Sequence, residues 1–157
     1  MKLKDIMAAF GAETQGPGPE ADAEGVYHLE VDGQPLSVME IAEVGRTVVW
    51  SRVGDLPPEG REALYRTILE AMAPGGDADD LILSVEPESQ SVYLHGLDDL
   101  EALDAEAFKA RLAAFAGFLG RWKSRVGDFR PSEDRPEEAG GGDFAPVPNS
   151  LSGFMQV

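Results

Sequence analysis

Leu3, Ile6, Met7 and Phe10 recur at helical spacing, with Gly11 behind them as a stop, and this predicts a short amphipathic helix at the start of the chain. The period then changes to two. Tyr27, Leu29 and Val31 alternate with polar residues. Leu36 and Val38 follow on one face with Met39 and Ile41 on the other, and then Val48 and Trp50 stand opposite Val49 and Val53. Between these runs DGQP and VGRT supply turn residues, which favours an antiparallel meander.

The helical period returns after GDLPPEG, where Leu64, Tyr65, Ile68, Leu69 and Met72 predict an amphipathic helix of about four turns on the 3.6-residue repeat. APGGD ends it, since Pro74 cannot continue the hydrogen-bond ladder. A second strand pair follows, with Leu81, Leu83 and Val85, the turn PESQ, then Val92 and Leu94. The longest helix comes last. Asp104 is its predicted N-cap, Leu103 and Phe108 its hydrophobic staple, and Phe108, Leu112, Phe115, Leu119, Trp122 and Val126 its apolar seam. The predicted order is α-β-β-β-α-β-β-α, an α+β fold with a twisted antiparallel sheet flanked by helices.

Two segments lack apolar periodicity. GAETQGPGPEADAEG is rich in Gly, Pro and acids and reads as a mobile connection. From residue 128 a Pro/Gly/acidic tail begins that cannot bury enough apolar area to order itself. The expected organisation is therefore one domain over residues 1–127 and a tail over 128–157. The tail nonetheless ends in PNSLSGFMQV, whose Leu151, Phe154, Met155 and Val157 suit a short docking motif behind a solvated spacer.

Composition narrows the function classes. The 157 residues carry 13 Lys and Arg against 29 Asp and Glu, a formal net charge of −16, which argues against nucleic acid and anionic membrane surfaces as partners. With no cysteine, disulfides and thiolate chemistry are excluded. No apolar run approaches a membrane span, and the N-terminal residues lack a signal-peptide core, so a cytoplasmic location is expected.

Candidate catalytic residues do not assemble. His95 precedes Asp98 and Asp99, but this reads as a strand end leading to a helix, where acids are favoured; Ser91, His95 and Asp98 match no nucleophile-elbow context. His28 is isolated in an alternating strand. Asp77, Asp79 and Asp80 in GGDADD follow their glycines instead of preceding them, so a turn is favoured over a calcium loop. No catalytic residue, metal site or cofactor is expected.

The segments MKLKDIMAAFGAE, GDLPPEGREALYRTILEAM, LILSVEPESQSVYLHGL and LDAEAFKARLAAFAGFLGRW, in this order, resemble the Tir chaperone (CesT) family of type III secretion chaperones over residues 1 to 126. The LP before the second helix, the ILEAM closing it and the final RWKSR are the most specific parts, although Met72 stands where family members often have Asn. The resemblance implies a small acidic homodimer in the bacterial cytoplasm that holds the N-terminal region of a secreted effector in extended form and keeps it export-competent. It implies an effector-binding surface, for which Leu3, Ile6, Met7, Phe10, Met39, Ile41 and Trp50 are the candidates. Leu64, Ile68 and Met72 become the candidate dimer stripe, and the tail motif could dock on a secretion-apparatus component or on the client-binding surface. The alternative is a non-enzymatic immunity or antitoxin-like protein that masks a folded partner.

Overall fold

The structure is a computed structural model and describes residues 2–13, 18–99 and 102–130. It contains α1 (Leu3–Glu13), β1 (Tyr27–Val31), β2 (Gln34–Ile41), β3 (Arg46–Asp55), α2 (Arg61–Ala71), β4 (Ile82–Glu86), β5 (Ser91–Asp99) and α3 (Ala105–Gly127). The five strands form one antiparallel sheet in the order β1-β2-β3-β5-β4. This is the α+β order that the hydrophobic pattern predicts.

Turn chemistry sets the first register. Asp32 and Gly33 both have positive φ (50° and 74°), the conformation of a two-residue turn that matches strand twist, and Val31 pairs with Gln34 directly across it. Once this register is fixed, Leu36 and Val38 must share one face of the sheet with Val49, and Val92 and Leu94 extend that face across β5.

The helices claim this inner face. Phe108, Leu112, Phe115, Leu119, Trp122 and Val126 of α3 are all buried, and α3 packs on β3, β2 and β1. Asp104 caps the helix as predicted, its Oδ1 accepting the Ala107 N–H at 2.8 Å. Gly96 is a close-approach position: a Cβ there would lie 3.1 Å from Leu81 Cδ2 and 3.5 Å from Phe115 Cδ2. α1 lies against α3, with the Phe10 ring stacked on Phe108 at 6.3 Å between centroids. Its first turn is held by Glu40, whose Oε2 accepts the Leu3 N–H at 3.1 Å, a carboxylate placed at the positive end of the helix dipole.

Several boundaries differ from the sequence expectation. α1 runs past Gly11 to Glu13. α2 is three turns long and ends at Ala71, with Met72 as its C-cap. β5 continues to Asp99, so His95 lies in mid-strand and not at a strand end. Part of the connection expected to be mobile is organised: Asp22 Oδ1 accepts the N–H groups of Glu24 and Val26, both at 2.9 Å, and Ala21 bridges Tyr27. An acid two residues before the N–H it accepts makes a local turn, which composition alone does not distinguish from solvated chain.

Candidate functional site: the outer face of the sheet

Side chains alternate across a strand, so the register that sends Leu36, Val38, Val49 and Leu94 inward sends another set to the opposite face. Met39 stands opposite Val48, and Val48 opposite Leu97. In the next row Ser37 faces Trp50, Trp50 faces His95, and His95 faces Ile82. Beyond these, Arg52 faces Tyr93 and Tyr93 faces Ser84. Directly opposed side chains sit about 4.5 to 5.5 Å apart at Cβ, so the two central rows form one continuous surface. It is apolar and open, with Ile82 44% and Leu97 42% exposed.

A pocket of about 340 Å³ opens on this face between Trp50, Tyr93 and His95, with Ser84, Val85, Glu86 and Pro87 along the β4 side. His95 and Ser84 share a hydrogen bond at 2.8 Å, and the Tyr93 ring lies 6.3 Å from the imidazole. Half-burial holds the His95 pKa below the ordinary histidine value, which keeps the imidazole neutral at pH 7. The pocket therefore combines the apolar surfaces of Trp50, Tyr93 and Val85 with a neutral imidazole, the Ser84 hydroxyl and the Glu86 carboxylate.

No hydrolytic constellation forms from the histidine cluster. Ser91 Oγ donates to Asp55 Oδ1 at 3.3 Å and accepts from Arg52 Nε at 3.1 Å, while Asp98 points inward to Arg111 Nε at 2.9 Å. Arg111 also pairs with Asp80, and this bidentate use of its fork raises the arginine pKa further against the opposing effect of burial. Asp77 is engaged by Arg125 at 3.0 Å. Two members of the GGDADD cluster are thus turned to two different arginines on α3. His28 joins Asp22 at 2.9 Å on the surface of β1, and the turn N–H groups with this contact lower the Asp22 pKa.

The candidate residues separate into distinct places. Met39, Ile41 and Trp50 come together on the outer face, with Ile41 at its end opposite Arg46. Leu3, Ile6 and Met7 do not join them. They are at most 1% exposed because α1 has one apolar stripe and the core takes it, which corrects the expectation of a free client-binding face there. Phe10 is half-buried against the same core.

On α2, Leu64 and Ile68 are likewise buried in the core of their own chain, which corrects their assignment to a dimer stripe. Met72 is half-buried, its sulfur accepting the Leu83 N–H at 3.3 Å beside β4. The accessible face of α2 carries Tyr65 and Leu69 instead, Leu69 being 65% exposed, along a shallow groove of about 560 Å³ with Glu62, Arg66, Glu70 and Ala73. Leu151, Phe154, Met155 and Val157 lie outside the described residues.

Val48, Tyr93, His95, Ile82 and Leu97 also form this surface and are not among the binding candidates that the sequence suggests. Parity carried the signal for β5: Tyr93, His95 and Leu97 alternate with the inward Val92 and Leu94. On α2 the signal was the adjacent pairs Leu64–Tyr65 and Ile68–Leu69, since neighbours 100° apart on a helix cannot all reach one core.

The architecture is a five-stranded antiparallel sheet covered on one face by helices and left largely apolar on the other. The model of the Tir chaperone protein (CesT) family matches residues 5–123, and the chain belongs to that family. Among solved structures, a chain of the ExsC–ExsE complex is 21% identical with a TM-score of 0.65, covering 80% of this chain and 97% of that one. A chain of the HopA1–SchA chaperone–effector complex is 14% identical with a TM-score of 0.62, covering 77% and 92%. A chain of the heterodimeric ExoU–SpcU complex from the type III secretion system of Pseudomonas aeruginosa is 12% identical with a TM-score of 0.62, covering 82% and 100%. At these identities the likeness is one of fold. Comparison with curated proteins finds no match.

Proposed function

We propose that this chain is a type III secretion chaperone of the bacterial cytoplasm that binds the N-terminal region of a secreted effector in extended form and keeps it export-competent. It acts by binding, without catalysis, metal or cofactor. The observation that carries this reading is the open apolar surface made by Met39, Val48, Leu97, Trp50 and Ile82. Membership of the CesT family supports it.

Physical chemistry connects surface to task. An extended client has no core of its own, so its affinity must come from backbone pairing and from side chains set into surface depressions. Each fully buried client side chain is worth about 1.5–3 kcal/mol, and ordering a disordered segment costs about 2–5 kcal/mol or more. Several anchors are therefore needed at once, and two adjoining apolar rows supply them where a single cleft would not. The accessible face of α2, with Tyr65 and Leu69, is the surface through which we place the homodimer.

The test is titration of the purified chain with the N-terminal segments of candidate secreted effectors. Trp50→Ala and Met39→Ser should each weaken binding by about 1–3 kcal/mol, the loss typical of an interface anchor. Unchanged affinity in both variants, with circular dichroism unaltered, overturns the assignment of the outer face.

A further inference from the structure

We propose that residues 144–157 dock on the outer face of the sheet of their own chain and occupy it until a client displaces them. The regulatory part of this inference rests on the effector-binding reading; the contact itself does not.

Charge selects this occupant. The chain as a whole is strongly acidic, and the residues just before the segment include Glu133, Asp134, Glu137, Glu138 and Asp143. Residues 144–157, FAPVPNSLSGFMQV, carry no charged side chain. The outer face has the matching character. Met39, Val48, Trp50, Ile82 and Leu97 form its middle with neutral His95, while Arg46, Asp99, Arg52 and Glu86 stand towards its ends. An acidic segment would gain nothing by burial there, whereas Leu151, Phe154, Met155 and Val157 would exchange water for apolar surface.

Geometry places the segment within reach. α3 ends at Gly127, and its Val126 Cγ1 lies 3.5 Å from the position a Cβ would take on Gly54. Gly54 is four residues along β3 from Trp50, about 13 Å at the rise of a strand. The chain therefore leaves the domain at the end of the sheet nearest the Trp50–Tyr93 pocket. Residues 131–143 are 13 positions rich in Pro, Gly and acids, and a solvated coil of that length has a root-mean-square span of about 20 Å. That length carries the apolar residues around the sheet end and onto its outer face. Tethering at such a span gives an effective concentration in the millimolar range, enough for a weak motif to occupy the face and a client with more anchors to replace it.

The absence of cysteine makes the contact directly measurable. Ser150→Cys in the full chain gives a single thiol for a bimane fluorophore, which tryptophan quenches only at short range. Trp50 is half-exposed on the face, whereas Trp122 is 1% exposed in the core. Bimane emission should rise at least about twofold when Trp50→Phe is added, or when Leu151→Ser and Phe154→Ser are, if a tethered motif occupies the face. Emission should be insensitive to excess unlabelled protein. Emission unaltered by Trp50→Phe overturns the docking, and a signal that changes with unlabelled protein assigns the face to a second copy instead. Titrating the N-terminal segment of a candidate secreted effector should restore emission. Binding without restoration overturns the placeholder role, whereas absence of binding with intact quenching counts against the effector reading alone.

Discussion

The two faces of the sheet are built from the same strands, one residue out of step, and are treated oppositely by the rest of the chain. On the inner face Val38, Val49, Val92 and Leu94 are at most 1% exposed beneath α1 and α3. On the outer face Met39, Val48, Trp50, Ile82 and Leu97 are comparably apolar, yet Ile82 and Leu97 are exposed and the other three only partly buried. Antiparallel sheets usually put polar residues on the face that meets water. An apolar second face adds little to the stability of the isolated chain, which is the ground on which we propose it as the binding surface. α2 repeats the lesson on a smaller scale, with Leu64 and Ile68 in the core and Tyr65 and Leu69 turned away from it.

The sharpest way to break this contrast is to place one charge on each side of α2. Leu64→Asp buries an unpaired carboxylate and should unfold the domain, as losses of about 3–5 kcal/mol do in marginally stable folds. Leu69→Asp should leave the fold intact and shift sedimentation from dimer to monomer. A dimer that survives Leu69→Asp would move the subunit contact off this face.

Smaller effects come from truncation across the sheet. Phe108→Ala, which removes a fully buried ring stacked on Phe10, should cost about 3–5 kcal/mol in chemical denaturation. Trp50→Ala on the outer face, where the side chain is only partly buried, should cost less, about 1–2 kcal/mol. Equal losses would mean that the outer face is part of the core.

The smallest expected effect sharpens the picture of the pocket by pH. Half-burial depresses the folded-state pKa of His95 below the ordinary value of 6.5, so the unfolded chain takes up its proton first as pH falls. The contribution of neutral His95 is then complete above about pH 6.5 and declines below it, levelling off once the folded chain also protonates. His95→Gln should flatten this slope in melting temperatures measured between pH 5 and 7.5. A slope unchanged by the substitution would trace it to other groups.

Much of the fold was legible because the signals were local. Asp104 caps α3, Asp32 and Gly33 turn β1 into β2, and the six-residue seam from Phe108 to Val126 is buried throughout, each as its own neighbourhood dictates. The candidate site was legible only in part. Met39, Ile41 and Trp50 lie on the open face, but Leu3, Ile6 and Met7 do not, since an apolar stripe looks the same whether it faces a core or a client. Likewise the end of β5 was misplaced because a strand can continue through His95 and Gly96 when its neighbour β3 supplies the ladder.

The sequence by itself determined the period of each element, the turns between them and the family, because periodicity, caps and turn residues act over a few positions. Tertiary structure alone decided which of two apolar parities in β2, β3 and β5 became the core. A strand with apolar residues on both sides is symmetric until something packs against it. Here α3, whose rings fill the space above Gly96, and α1, anchored through Glu40, break that symmetry and leave the other face uncovered.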